Sequence, residues 1–188
     1  MKKIFSTVLM LALVLMTSVL VGCGGEDKPA NLLSEKNVND VLNDLRGSED
    51  EGGYKIDGVE YGQNDSGHFC SASFDKTKRG TIGFIVTEKG SVISATILIT
   101  DPADFNLNVQ ANYVLVKFLT SIGMTRPEME GFLKDYNAYL TAEAENQDTV
   151  APTVDKVFTI QSSKLKKAVA IAIKGDDKQR TYSVTVAQ

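Results

Sequence analysis

The chain has 188 residues, 20 Lys and Arg against 24 Asp and Glu, and a formal net charge of −4, which gives a pI near 5.1. This mild acidity excludes ordinary nucleic-acid binding, which demands clustered Lys and Arg. The length is about one domain's worth, enough to bury a sound core without disulfides or metals.

Lys2 and Lys3 open the chain, residues 4–21 carry no charge, and Leu20-Val21-Gly22-Cys23 ends the run with small residues before a cysteine. That is the order of a secretory signal peptide. The run resembles the signal of bacterial lipoproteins, in which a small residue precedes the cysteine that becomes the mature N-terminus. The resemblance covers only the leader. It implies cleavage between Gly22 and Cys23, a thioether diacylglycerol on Cys23 and often a further N-acyl chain. Two acyl chains hold a protein on a bilayer where one holds it only marginally. An uncleaved transmembrane helix is the rival reading, because the run is about long enough to span. Thr7, Thr17 and Ser18 dilute it, however, and Gly24-Gly25-Glu26-Asp27 stands where a basic stop-transfer cluster would follow. The resulting division is a signal peptide at 1–22, the acylated cysteine and a flexible tether at 23–33, and one globular domain at 34–188.

Beyond the tether, Ser34 is expected to cap a helix in which Val38, Val41, Leu42 and Leu45 recur at helical spacing up to Arg46-Gly47. Residues 47–53 read as an acidic loop. From Tyr54 the period changes to two, and Asp57-Gly58 suggests the turn of a small hairpin. Strands are expected at 68–74, 81–88 and 92–100. Two helices follow: one capped by Asn106 and ended by Gly123, the other opened by the capping box Thr125-Arg126-Pro127-Glu128. Strands at 157–161, 168–173 and 181–187 finish the chain. The order α-ββββ-αα-βββ with short links predicts an α+β fold, a mainly antiparallel sheet with helices packed on one face.

Few residues carry recognisable chemistry. Cys70 and His68, two apart on a strand, share a face and would be the parts of a cysteine hydrolase or acyltransferase. They share that face with Ala72 and Phe74, which points to packing instead. With one histidine and one thiol left after acylation of Cys23, no spacing offers the ligands zinc needs. The acidic groups Glu49-Asp50-Glu51, Asp101 with Asp104, and Asp176-Asp177 lack the spaced loop that preorganises Ca²⁺, so no metal and no cofactor beyond the acyl lipid is expected. Lys164, Lys166 and Lys167 form one basic patch, read as a strand entrance that discourages edge pairing. Tyr136 and Tyr139 are expected between helices and sheet with their hydroxyls at the rim.

The second side of the sheet is richer. Ser71, Ser73, Thr81, Thr87, Ser94, Thr96, Ser183 and Thr185 give it a hydroxylic surface, interrupted by Phe69, Ile85, Val92 and Leu98, which are expected to be exposed. Ser71, Ser73, Thr81 and Thr96 are the candidate binding residues. The expected function is a non-enzymatic envelope lipoprotein on the bacterial cell membrane or outer membrane, binding an envelope protein, peptide or small ligand. An envelope enzyme using Cys70 and an assembly or adaptor subunit are the competing readings.

Overall fold

The computed structural model describes residues 31–64 and 67–187; the expected signal peptide, Cys23 and residues 65–66 lie outside the described residues. Those residues form β1 (Ser34–Asn37), α1 (Val38–Arg46), α2 (Glu49–Gly52), β2 (Asp57–Asn64), β3 (Gly67–Ser73), β4 (Gly80–Val86), β5 (Ser91–Thr100), α3 (Phe105–Ile122), α4 (Arg126–Gln147), β6 (Val154–Ser162), β7 (Lys167–Gly175) and β8 (Gln179–Val186). The strands make one sheet in the order β2-β3-β4-β5-β8-β7-β6, with β1 beside β5, and every pairing is antiparallel. The helix pair α3–α4 carries the chain from β5 to the far edge, where β6 starts. β7 and β8 then fold back to β5. The fold is α+β, with the helices on one side of the sheet.

Alternation builds the core. Ile82, Phe84 and Val86 of β4, Ala95, Ile97 and Ile99 of β5, and Val169, Ile171 and Ile173 of β7 all face the helices and are buried. Against them α3 sets Leu107, Ala111, Val114, Leu115, Phe118, Leu119 and Ile122, and Phe118 meets Phe84 at 5.8 Å between ring centroids. Each such Val, Leu, Ile or Phe side chain contributes about 1.5–3 kcal/mol by leaving water. Helix α4 is started by the expected capping box, with Thr125 and Glu128 bonding each other's backbone. It packs on β6, where Phe132, Tyr136 and Tyr139 surround Phe158 with centroids 5.4, 6.2 and 6.1 Å away.

Several local expectations are corrected. Ser34 is not a helix cap: it pairs with Val92 in β1, Leu33 N–H donates to the Val92 carbonyl at 3.0 Å, and the helix starts only after Asn37, whose side chain accepts from Asn39 N–H at 2.9 Å. Long-range pairing has overridden a local capping signal. Leu32 and Leu33, expected within a tether, are packed against the domain, at 8% and 0% exposure. Asp57-Gly58 is not a hairpin turn. Gly58 takes φ 61° where the register shifts within a single strand, β2. The acidic stretch 47–53 contains one helical turn, α2. Asp104, not Asn106, caps α3 by accepting from Leu107 N–H at 3.2 Å.

Candidate functional site

The sheet register brings the four hydroxylic candidates together. Ser71 lies opposite Gly83, Gly83 opposite Thr96, Thr96 opposite Ser183, and Ser183 opposite Ala172. These small residues form one row across five strands, about 19 Å long at the usual strand spacing. A second row runs through Ser73, Thr81, Leu98 and Thr181. Phe69, Ile85 and Ser94 border the first row on its other side. Charge stands at the ends of the rows: Asp57 opposite Ser73 and Glu60 opposite Ser71 on β2, and Lys174 opposite Thr181 on β7. A contact confined to β3, β4, β5 and β8 desolvates no ion, which is the main cost of covering a polar surface.

Exposure departs from the expected open face. Ser71, Ser73, Thr81 and Thr96 are 6, 8, 6 and 1% exposed, and Ile85 and Leu98 are also buried. Among the described residues the helices all belong to the opposite side, so no described helix crosses these rows. Val92 is corrected outright. The register slips between Ile85–Ser94 and Val86–Val92, and this bulge turns Val92 into the helix-side core at 0% exposure. A single extra residue moves a side chain to the other face.

His68, but not Cys70, lines a cleft of about 260 Å³ formed by the start of α1, Tyr61 and Gly62 of β2, His68 and Phe69 of β3, and the β4–β5 turn. That is below the size of a usual small-molecule pocket. Cys70 itself is fully buried among Ala72 and Phe74, and burial pushes its thiol up to about 11, only partly opposed by the Tyr61 hydroxyl and the Arg46 charge. A nucleophile needs the reverse, a thiolate stabilised at neutral pH. Tyr61, directly opposite Cys70, donates its hydroxyl to Asn39 Oδ1 and closes the approach to the sulfur.

The acidic groups serve the scaffold. Asp101 and Asp104 join Asp75 around Arg79, with oxygens 3.2, 2.8 and 3.8 Å from its guanidinium nitrogens. The backbone N–H of Leu107 and the Arg79 charge hold the Asp104 carboxyl below its usual range. Glu49 accepts from Ile56 N–H at 2.9 Å. Asp176 accepts from Lys178 and Gln179 N–H in the β7–β8 turn. Among the described residues no group of three or more His, Cys, Asp or Glu is placed to hold a metal ion, and no helix is long and apolar enough to cross a membrane. Of the basic patch, Lys167 Nζ donates to the Leu32 carbonyl at 2.6 Å and pins the chain where it joins the sheet.

Tyr136 is buried rather than rimmed by water. Its hydroxyl lies 3.0 Å from that of Tyr182 and beside the buried Arg180, whose Nη2 donates to the Pro152 carbonyl at 3.1 Å. Sequence reading missed this polar centre. Its signal was the inward parity of Arg180 with Tyr182 and Val184. Comparison of the chain with family models, with curated proteins and with solved structures finds no match.

Proposed function

We propose that the chain is an exported bacterial lipoprotein whose folded domain, tethered through acylated Cys23, recognises an envelope partner on the second side of its sheet. The anchor is argued from the leader alone: an uncharged run after Lys2 and Lys3, ending in Leu20-Val21-Gly22-Cys23. Tethering confines the domain to a membrane and raises its effective concentration near other envelope components. The observation that carries the recognition surface is the row Ser71–Gly83–Thr96–Ser183–Ala172. From Ser71 to Ala172 it combines small side chains and hydroxyls without charge, is bordered by apolar Ile85 and Leu98, and meets Glu60 at its β2 end. Ser71 and Thr96 are buried and Ser183 and Ala172 are partly exposed, so the accessible part of the row favours an uncharged segment of a protein or peptide laid across β7 and β8. The enzymatic alternative loses its nucleophile, because the Cys70 thiol is buried and stays protonated at neutral pH.

Photo-crosslinkers placed at Ser73 and Ser183 of the membrane-bound protein test the surface. The expected result is one specific adduct from both positions and none from a crosslinker at Lys134 on α4. Absence of any adduct from the sheet, or the same products from all three positions, would overturn the reading.

A further inference from the structure

The outer edge of β6 is closed at both ends by side chains and open in the middle. Thr153 N–H donates to Gln147 Oε1 at 2.8 Å and the Thr153 carbonyl accepts from Gln147 Nε2 at 2.9 Å. Asp155 N–H donates to the Tyr139 hydroxyl at 3.3 Å, and Ser163 N–H donates to Glu128 Oε1 at 2.7 Å. All these groups belong to odd-numbered residues. Along a strand the backbone groups alternate in direction, so odd residues of β6 face away from β7 and even ones form the β7 ladder. The outward groups between the two capped ends are therefore those of Val157, Thr159 and Gln161. All three residues are exposed, Val157 at 53%. The opposite edge differs. There β2 is interrupted by its register shift and by Gly58 at φ 61°, features that blunt edge pairing. β6 pairs without a break from Val154 to Ser162.

We infer that β6 pairs antiparallel with β6 of a second copy, with the two-fold axis at Thr159. In that register Val157 faces Gln161 of the other copy and Thr159 faces Thr159, so every open residue meets an open residue and about six main-chain hydrogen bonds form. Shifting the axis to Phe158 would place Asp155, already bonded to Tyr139, opposite Gln161. Shifting it to Ile160 would place Ser163, already bonded to Glu128, opposite Val157. The capped ends thus select one register. Its side-chain pairs are favourable: Phe158 opposes Ile160, Thr159 opposes Thr159, and Lys156 opposes Ser162, with no like charges facing. The two sheets become continuous, and each copy keeps its own row of small residues on the same side. This pairing is independent of what that row binds.

A Thr159→Cys variant of the full chain, oxidised in its own membranes, tests the register. Residues exchanging both hydrogen bonds sit about 5.5 Å apart at Cα, within disulfide reach, and native Cys70 is buried. Near-complete disulfide dimer is expected from Thr159→Cys, and no more than background from Lys174→Cys on β7. A second variant, Thr159→Pro, removes an outward N–H and leaves the β7 ladder whole. In detergent it should sediment as monomer where the unmodified chain sediments as dimer, with an unchanged circular-dichroism spectrum. Monomeric unmodified protein, equal crosslinking from Lys174→Cys, or a dimer that survives Thr159→Pro would each overturn the pairing. Monomer that captures a synthetic extended peptide at this edge would instead assign the edge to a foreign strand.

Discussion

Replacing Tyr136 by Phe should cost more than replacing Tyr182 by Phe, although the two hydroxyls bond each other at 3.0 Å. Both rings are buried, at 1% and 0% exposure, so water cannot take the place of a lost partner. The Tyr136 hydroxyl also lies beside the Arg180 guanidinium, whose charge opposes the upward shift that burial imposes on this phenol. The Arg180 Nε already lacks a hydrogen-bond partner among the described residues. Removing the Tyr182 hydroxyl therefore breaks one neutral hydrogen bond, about 1 kcal/mol. Removing the Tyr136 hydroxyl breaks that bond and strips a contact from a buried cation, about 3 kcal/mol in total. For a domain of this size the melting temperature should fall by about 2–4 °C for Tyr182→Phe and about 6–12 °C for Tyr136→Phe. The double variant should lose less than the sum, since the orphaned Tyr182 hydroxyl is gone as well. Thermal unfolding followed by circular dichroism gives all three values. Equal single losses, the reverse order, or strict additivity would refute the role given to Arg180.

Three further outcomes follow from the same structure. Cys70 should resist a thiol reagent at pH 8 in the native protein and react fully in urea, because its thiol is buried and pushed up to about 11; rapid native modification would restore it as a candidate nucleophile. Glu128 is held down to about 2 by the N–H groups of Ser163 and Thr125. Its contribution is present in full above its ordinary pKa of 4.5 and is lost as the pH falls from there toward 2, so Glu128→Gln should flatten acid unfolding in that window, read by fluorescence or dichroism. Gly175→Ala should destabilise by about 2–4 kcal/mol in urea titration, since φ is 149° and a Cβ would meet the Gln179 carbonyl oxygen at 2.1 Å; a neutral substitution would contradict this turn geometry.

Much of the fold was readable because its signals are local. The Thr125–Glu128 box needs only neighbours three residues apart, and the alternation in Ile82, Phe84 and Val86 states which side is buried without reference to a partner. The same parity correctly put Cys70 with Ala72 and Phe74 in the core. What escaped depends on distant pairing. Ser34 joins β1 only because β5 offers Val92, and Val92 turns inward only because one register slip separates it from Ser94. The candidate rows were legible as a hydroxylic surface, but their uncharged middle and the charges at their ends, Asp57, Glu60 and Lys174, appear only once the strands are aligned. Arg180 was missed because a charged residue among Tyr and Val reads as a surface position until the Pro152 carbonyl and the Tyr136 hydroxyl close over it.

The anchor is tested most directly by the intact mass of the protein extracted from its native membrane. A polypeptide beginning at Cys23, with residues 1–22 removed and a diacylglyceryl thioether on the Cys23 sulfur, is the expected result. A mass that retains the leader, or an unmodified Cys23, would contradict the lipoprotein reading and remove the tether on which membrane-confined recognition depends.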